Sequence, residues 1–269
     1  IEFNMNDAIP LTTDPASAGR LLQCATYASV VTATVLIVIK LAAALMTGSV
    51  SVLASLVDSM MDVAASIINL LAVYYSLQPP DREHRFGHGK AEPLAGLVQA
   101  AFIAGSAVFL ILHALNRLLH PQLINNVVVG IGVLLFAIVA TLALLLFQHH
   151  VIRCTQSTAI RADALHYATD LLTNGATILA LGLAMLGWPI IDPIFAIGIA
   201  LYILYSAGQI GCEAVQLLMD HELPLEVHAR IKEIARAYPQ VCGVHEMRTR
   251  RSGQTYFVQL HLTLDDRMP

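Results

Sequence analysis

Residues 51–77 read SVLASLVDSMMDVAASIINLLAVYYSL, an apolar run whose only charges are two carboxylates, Asp58 and Asp62. Crossing about 30 Å of hydrocarbon takes roughly 20 residues, so this run is long enough to span a bilayer. An unpaired aspartate at the centre of a membrane helix costs about 2.5–3.5 kcal/mol on the insertion scale. Two of them four residues apart therefore call for a compensating partner, and the run points both to a membrane protein and to the place where its chemistry lies.

Working outward, five further runs have the same character, at about 21–46, 93–118, 125–148, 158–186 and 189–212. Six transmembrane helices are predicted, with breaks at Gly48 to Ser51, at Pro79 and Pro80, at Pro121 with Asn125 and Asn126, and at Gly187 to Pro189. Composition agrees: 57% of the 269 residues are hydrophobic and 13% charged, against about 25% charged in soluble domains. That excludes a disordered chain and argues against a conventional soluble enzyme. With 15 Lys+Arg against 19 Asp+Glu, a net charge of −4, the basic surface that would neutralise nucleic-acid phosphates is missing.

The last 56 residues carry 14 of the 34 charges and read as a soluble module. Residues 224–237 have helical periodicity, and 241–249 and 255–264 alternate like strands. The predicted fold class is an all-α membrane domain of six transmembrane helices followed by a small α+β cytoplasmic domain. The expected division is a tail over 1–20, the membrane domain over 21–213 and the cytoplasmic domain over 214–269. One helix and two strands make too small a core to stand alone.

Lys and Arg accumulate on the cytoplasmic side of membrane proteins. Arg20, then Arg82, Arg85 and Lys90, then Arg153 and Arg161, and seven more beyond helix six all fall on one set of segments. The other set has Arg117 at a helix end, and Lys40, inside the first run, is expected to snorkel outward. Both termini are predicted to be cytoplasmic. Cys24, Cys154, Cys212 and Cys242 form no C-x-x-C pair and suggest neither a disulfide framework nor a thiolate zinc site. Ile-Glu-Phe-Asn before Met5 reads as an expression scar, and no signal peptide is expected.

The fifth run holds a second pair, His166 and Asp170. A pair spaced i,i+4 projects from one helical face, so Asp58 with Asp62 and His166 with Asp170 on facing helices would surround one point near mid-membrane. Three carboxylates and an imidazole suit a tetrahedral Zn²⁺ site, with Fe²⁺, Co²⁺ and Cd²⁺ as chemical neighbours. Taken singly, an intramembrane aspartate is more often a helix contact and a lone histidine a satisfied core residue. Carboxylates crowded at low dielectric hold protons that a divalent cation must expel, so metal and proton compete for one site, as an exchanger requires. The shared ligand-x-x-x-Asp form, with Ser66 and Asn174 each four residues on, fits an inverted repeat or a chance likeness of two apolar helices.

A second cluster, Asp81, His84 and His88, lies in the loop DREHRFGHGK. Its spacing supplies a carboxylate and two imidazoles with glycines to fold around an ion; it equally suits a solvated turn whose Arg82 and Arg85 meet lipid headgroups. His245 and His261 lie on the two predicted strands, where solvent-facing residues are commoner than ligands, and His221 and His228 read as surface.

Six helices, Asp58-x-x-x-Asp62, His166-x-x-x-Asp170, the loop HRFGHGKAEPLA and the later EMRTRRSGQT together resemble the cation diffusion facilitators, most closely their bacterial zinc and ferrous-iron efflux branch. The likeness runs from about residue 20 to the end. It implies a homodimeric, proton-coupled exporter of divalent metal (Zn²⁺, Fe²⁺ or Cd²⁺) in the bacterial cytoplasmic membrane, with a metallochaperone-like cytoplasmic domain. It implies that Asp58, Asp62, His166 and Asp170 form the transport site and Asp81, His84 and His88 the loop site. Of the cytoplasmic site only His245 and His261 carry over; the other ligands belong to a helix and strand expected beyond Pro269. The resemblance also puts Lys90 and Asp220 in a charge interlock between the two domains. No enzyme activity is expected: H-E-x-x-H is absent, His245-Glu246 being followed by Met247-Arg248-Thr249. A passive cation channel is the alternative, although channels use rings of ligands from several subunits.

Overall fold

The computed structural model describes residues 15–47, 50–119, 128–185 and 191–265. Six long helices follow one another: α1 (Pro15–Thr47), α2 (Val50–Ser76), α3 (Ala91–Leu119), α4 (Val128–Thr155), α5 (Thr158–Met185) and α6 (Ile191–Leu218). A short helix α7 (Leu225–Arg236) and a hairpin of β1 (Val241–Ser252) and β2 (Thr255–Leu264) follow among the described residues. The expected breaks around Pro121 and Gly187 to Pro189, Gly48 of the first break, and the residues before Met5 lie outside the described residues.

Among the described residues, four helices contain stretches long and apolar enough to cross a membrane: Ala16–Ala42, Ala91–Asn116, Leu135–Thr155 and Pro193–Leu218. The expected count was six. The remaining two, α2 and α5, are 27 and 28 residues long. They are the helices that carry Asp58 with Asp62 and His166 with Asp170, and some side chains of both lie outside the described residues; the described apolar stretch of α2, Asp62–Ser76, is shorter than a span.

Packing follows from small residues. Ile103 and Ala107 of α3 meet Ile203 and Ala207 of α6 in one buried cluster. Leu22 and Ala25 of α1, Val73 of α2, Val151 and Ile152 of α4, and Ala159 and Ile160 of α5 form another. Alanines let helix backbones approach closely where hydrophobic exclusion cannot drive association. Large apolar side chains such as Val31, Leu71, Phe109, Leu146 and Tyr205 point outward, as they would toward lipid. Lys40 does not turn outward as expected: its Nζ donates to Ser59 Oγ of α2 at 2.6 Å, a buried partner nearer than the headgroups.

The strands pair antiparallel with a bulge between His245 and Arg248, where Glu246 adopts φ +46°. β1 runs three residues further than expected because Arg250, Arg251 and Ser252 are held at the membrane domain. At the tip, Gly253 has φ +58°, as a tight two-residue turn requires. A Cβ on Gly89, in the α2–α3 loop, would lie 2.5 Å from the Ser252 carbonyl oxygen, so the hairpin tip abuts that loop where only glycine fits.

The tip also caps α4. Arg251 Nη2 and Gln254 Nε2 donate to the Thr155 carbonyl at 2.9 and 3.1 Å, satisfying an acceptor that a helix end leaves open. Gln156 turns the chain with φ +52°, and Ser157 Oγ accepts from the Ile160 N–H at 3.2 Å, so only two residues separate α4 from α5.

Lys90 and Asp220 do meet, at 3.0 Å within one chain, and a third member joins them. Arg250 bonds the other Asp220 oxygen at 3.1 Å while its guanidinium lies 4.6 and 4.9 Å from the Phe86 and Phe257 ring centres. Partial burial raises the Asp220 pKa, but the hydrogen bond and charge of Lys90, then of Arg250, outweigh it and hold the carboxyl below its ordinary value. The interlock is therefore at full strength above the ordinary carboxylate pKa of about 3.9 and is lost as the pH falls through the lowered folded value. Lys90→Ala and Asp220→Ala are expected to couple by about 1 kcal/mol in a double-mutant cycle of thermal stability; simple additivity would show the contact to be incidental.

Candidate metal centre

The 27 residues of α2 place Asp62 twelve residues from its start, about 18 Å along the axis and close to its middle. On α5, His166 and Asp170 stand eight and twelve residues in. The two helices bring these three side chains together. His166 Nε2 lies 3.1 Å from Asp62 Oδ1 and 4.0 Å from Asp170 Oδ2, and all three are half-buried. Tetrahedral bonds of about 2.0–2.1 Å put neighbouring ligand atoms about 3.3–3.5 Å apart, a spacing the two distances bracket. Asp58 belongs to α2 one turn before Asp62, and its side chain lies outside the described residues.

Asp81, His84 and His88 also gather. Asp81 Oδ1 accepts the backbone N–H groups of Glu83 and His84 at 2.9 and 2.5 Å, closing a turn that Gly87, at φ +80°, continues. Its two oxygens stand 3.4 Å from His84 Nδ1 and 3.2 Å from His88 Nε2. The His84 backbone N–H is the chief reason the Asp81 carboxyl sits below its ordinary pKa, and the Glu83 N–H and the His84 ring act the same way against a desolvation cost. His88 is buried with its ring 4.4 Å from that of Tyr75, whereas Asp81 and His84 are exposed. One buried imidazole and two exposed partners present their ligand atoms where an ion can arrive from solvent.

His245 and His261 face each other across the hairpin and both are exposed. Among the described residues no third imidazole, thiol or carboxylate joins them in a cluster; Glu246 contacts His261 alone at 3.3 Å. His221 is exposed as expected. His228, expected at the surface, is half-buried on the side of α7 that faces β1, its Nε2 2.7 Å from Thr249 Oγ1.

Two residues near the centre escaped the sequence reading. Asp163, one turn before His166, is fully buried, and Tyr167, beside His166, is 1% exposed. The signal available was a second acidic residue in the RADALHYATD stretch, at i−3 from the histidine and on the same helix face. Arg161, counted among loop charges, is part of α5 and pairs with Glu213 of α6.

Comparison with known proteins adds the following. The profile of the cation efflux transmembrane domain matches residues 26–219, and that of the cation efflux protein cytoplasmic domain matches residues 223–269. The cation-efflux pump FieF of Citrobacter koseri is 53% identical over 251 residues, 93% of this chain and 84% of that protein. The proteins of that name from Klebsiella pneumoniae and Salmonella paratyphi A are 52% and 51% identical over 94% and 93% of this chain, each covered to 84%.

Proposed function

The chain belongs to the cation efflux family, and on that premise we propose that it is a proton-coupled antiporter exporting a divalent metal ion, Zn²⁺, Fe²⁺ or Cd²⁺, across the bacterial cytoplasmic membrane. Six transmembrane helices, both termini in the cytoplasm and a homodimeric assembly belong to the same reading. The relatives named as cation-efflux pumps support export of metal, and the match to the family's cytoplasmic domain supports dimerisation.

The observation that carries the mechanism is the approach of Asp62 and Asp170 to one nitrogen of His166. Together with Asp58 they make a ligand set of three carboxylates and an imidazole. In the metal-free site the imidazole proton is shared with the carboxylates; metal binding needs the nitrogen lone pair and displaces it. A proton arriving from the far side competes for the same atoms and releases the metal. Alternation between metal-loaded and protonated states, each open to one side, exchanges the two ions. The loop cluster Asp81, His84 and His88, at the cytoplasmic mouth of α2 and α3, is in this reading a second binding point for the metal, and His245 and His261 contribute to a third in the cytoplasmic domain.

Proteoliposomes containing the purified chain test the proposal. With an imposed pH gradient, Zn²⁺, Fe²⁺ or Cd²⁺ uptake is expected to accelerate, with protons moving the other way. Electrogenic metal flux indifferent to the pH gradient would mark a passive channel and overturn the antiport.

A further inference from the structure

The segment of α5 that presents His166 also holds a carboxylate the exchange does not use. Asp163 is 0% exposed and collects donors from three other helices. Its Oδ2 accepts from Ser29 Oγ of α1 at 2.6 Å and Gln148 Nε2 of α4 at 2.7 Å, and its Oδ1 from Gln99 Nε2 of α3 at 3.2 Å. Gln148 Nε2 donates to Ser29 Oγ as well, at 3.0 Å. Ser29 is held a second time, since the Tyr167 hydroxyl donates to its backbone carbonyl at 3.1 Å. The same hydroxyl lies 3.0 Å from Ser66 Oγ of α2, and Ser66 is one turn beyond Asp62 on that helix.

A buried carboxylate is costly unless its acceptors are filled, and cohesion between apolar helices needs no such group. What a carboxylate with three directional donors supplies is a single permitted setting of α5. Asp163 and His166 share a helix face and are about 4.5 Å apart along the axis, so a turn or slide of α5 that moved the imidazole would break the hydrogen bonds below it. The Ser29, Tyr167 and Ser66 contacts carry that setting across to the helix of Asp62.

We propose that Asp163, acting through Ser29, Tyr167 and Ser66, is the positioning residue of the transport site and a determinant of its metal selectivity: it fixes the depth and rotation at which His166 meets Asp62. The 3.1 Å approach of His166 Nε2 to Asp62 Oδ1 suits the short bonds of Zn²⁺; the larger Cd²⁺, with longer bonds, tolerates a looser pair. This rests on Asp62, His166 and Asp170 being the transport ligands.

The test is Zn²⁺ and Cd²⁺ uptake by the full chain in proteoliposomes, with KM and maximal rate measured for each ion. Asp163→Asn keeps the size of the side chain and sets an amide donor against existing donors. It is expected to raise KM for Zn²⁺ by about 10–100-fold, the usual range for a lost supporting partner of a metal ligand. KM for Cd²⁺ should rise by a clearly smaller factor, so that preference shifts toward Cd²⁺. Tyr167→Phe and Ser29→Ala should move the ratio the same way by less, and they decide the matter if Asp163→Asn fails to fold. Unchanged kinetics, or equal losses for both ions, would overturn the proposal. Asp62→Ala in the same assay separates the two readings: if it still transports, the ligand assignment itself has failed, whatever Asp163→Asn does.

Discussion

Asp62→Ala and Asp170→Ala are each expected to abolish metal transport in a protein that still folds and inserts. Both carboxylates converge on His166 Nε2, so truncating either leaves an ion one protein ligand short. Losing a partner that merely supports a ligand weakens metal affinity by about 10–100-fold, and losing a ligand is expected to exceed that. Folding should survive, because an aspartate at the centre of a membrane helix costs about 2.5–3.5 kcal/mol to insert, and alanine removes that cost. The measurements are Zn²⁺ uptake beside thermal unfolding and elution volume in detergent. Uptake at the wild-type rate by either variant would sink the assignment.

The second large effect is on selectivity. His166→Asp exchanges the only imidazole of the quartet for a fourth carboxylate, and an all-oxygen site favours harder cations. Mn²⁺ should gain on Zn²⁺ in competition uptake, with Zn²⁺ affinity falling most. The aspartate side chain is also shorter, and the 3.1 Å contact with Asp62 would open, which again disfavours a small ion. An unchanged Zn²⁺ to Mn²⁺ ratio would mean that the ring nitrogen is not a ligand.

The acidic pairs were legible because they break a rule that sequence states openly: charge does not belong in the middle of an apolar run. Helix ends were legible for a similar reason, since Pro79, Pro80 and the polar loop after them cannot continue α2. The Asp163 network was not, because its donors Ser29, Gln99 and Gln148 are 134, 64 and 15 residues distant. Each reads as an ordinary polar residue until helix packing aligns them. Arg250 stayed hidden likewise: in sequence it is one charge just past the expected strand 241–249, whereas its partners Phe86 and Asp220 come from two different connections. Lys40 was misplaced because snorkelling is the default for a lone lysine, and the default gives way when a buried hydroxyl stands nearer.

The cap on α4 gives the cytoplasmic module thermodynamic leverage over the membrane domain. The Thr155 carbonyl accepts from both Arg251 and Gln254 of the hairpin, and each such hydrogen bond contributes about 0.5–1.5 kcal/mol net. Three residues further on begins the helix that carries His166 and Asp170. Free energies of coupled equilibria are symmetric: to whatever extent metal at His166 and Asp170 alters the α4–α5 elbow, the hairpin's hold on that elbow changes by the same factor. By the same symmetry, a ligand, an antibody fragment or a crosslink that pins the hairpin in place would change metal affinity to that extent and no further, without touching His166 or Asp170.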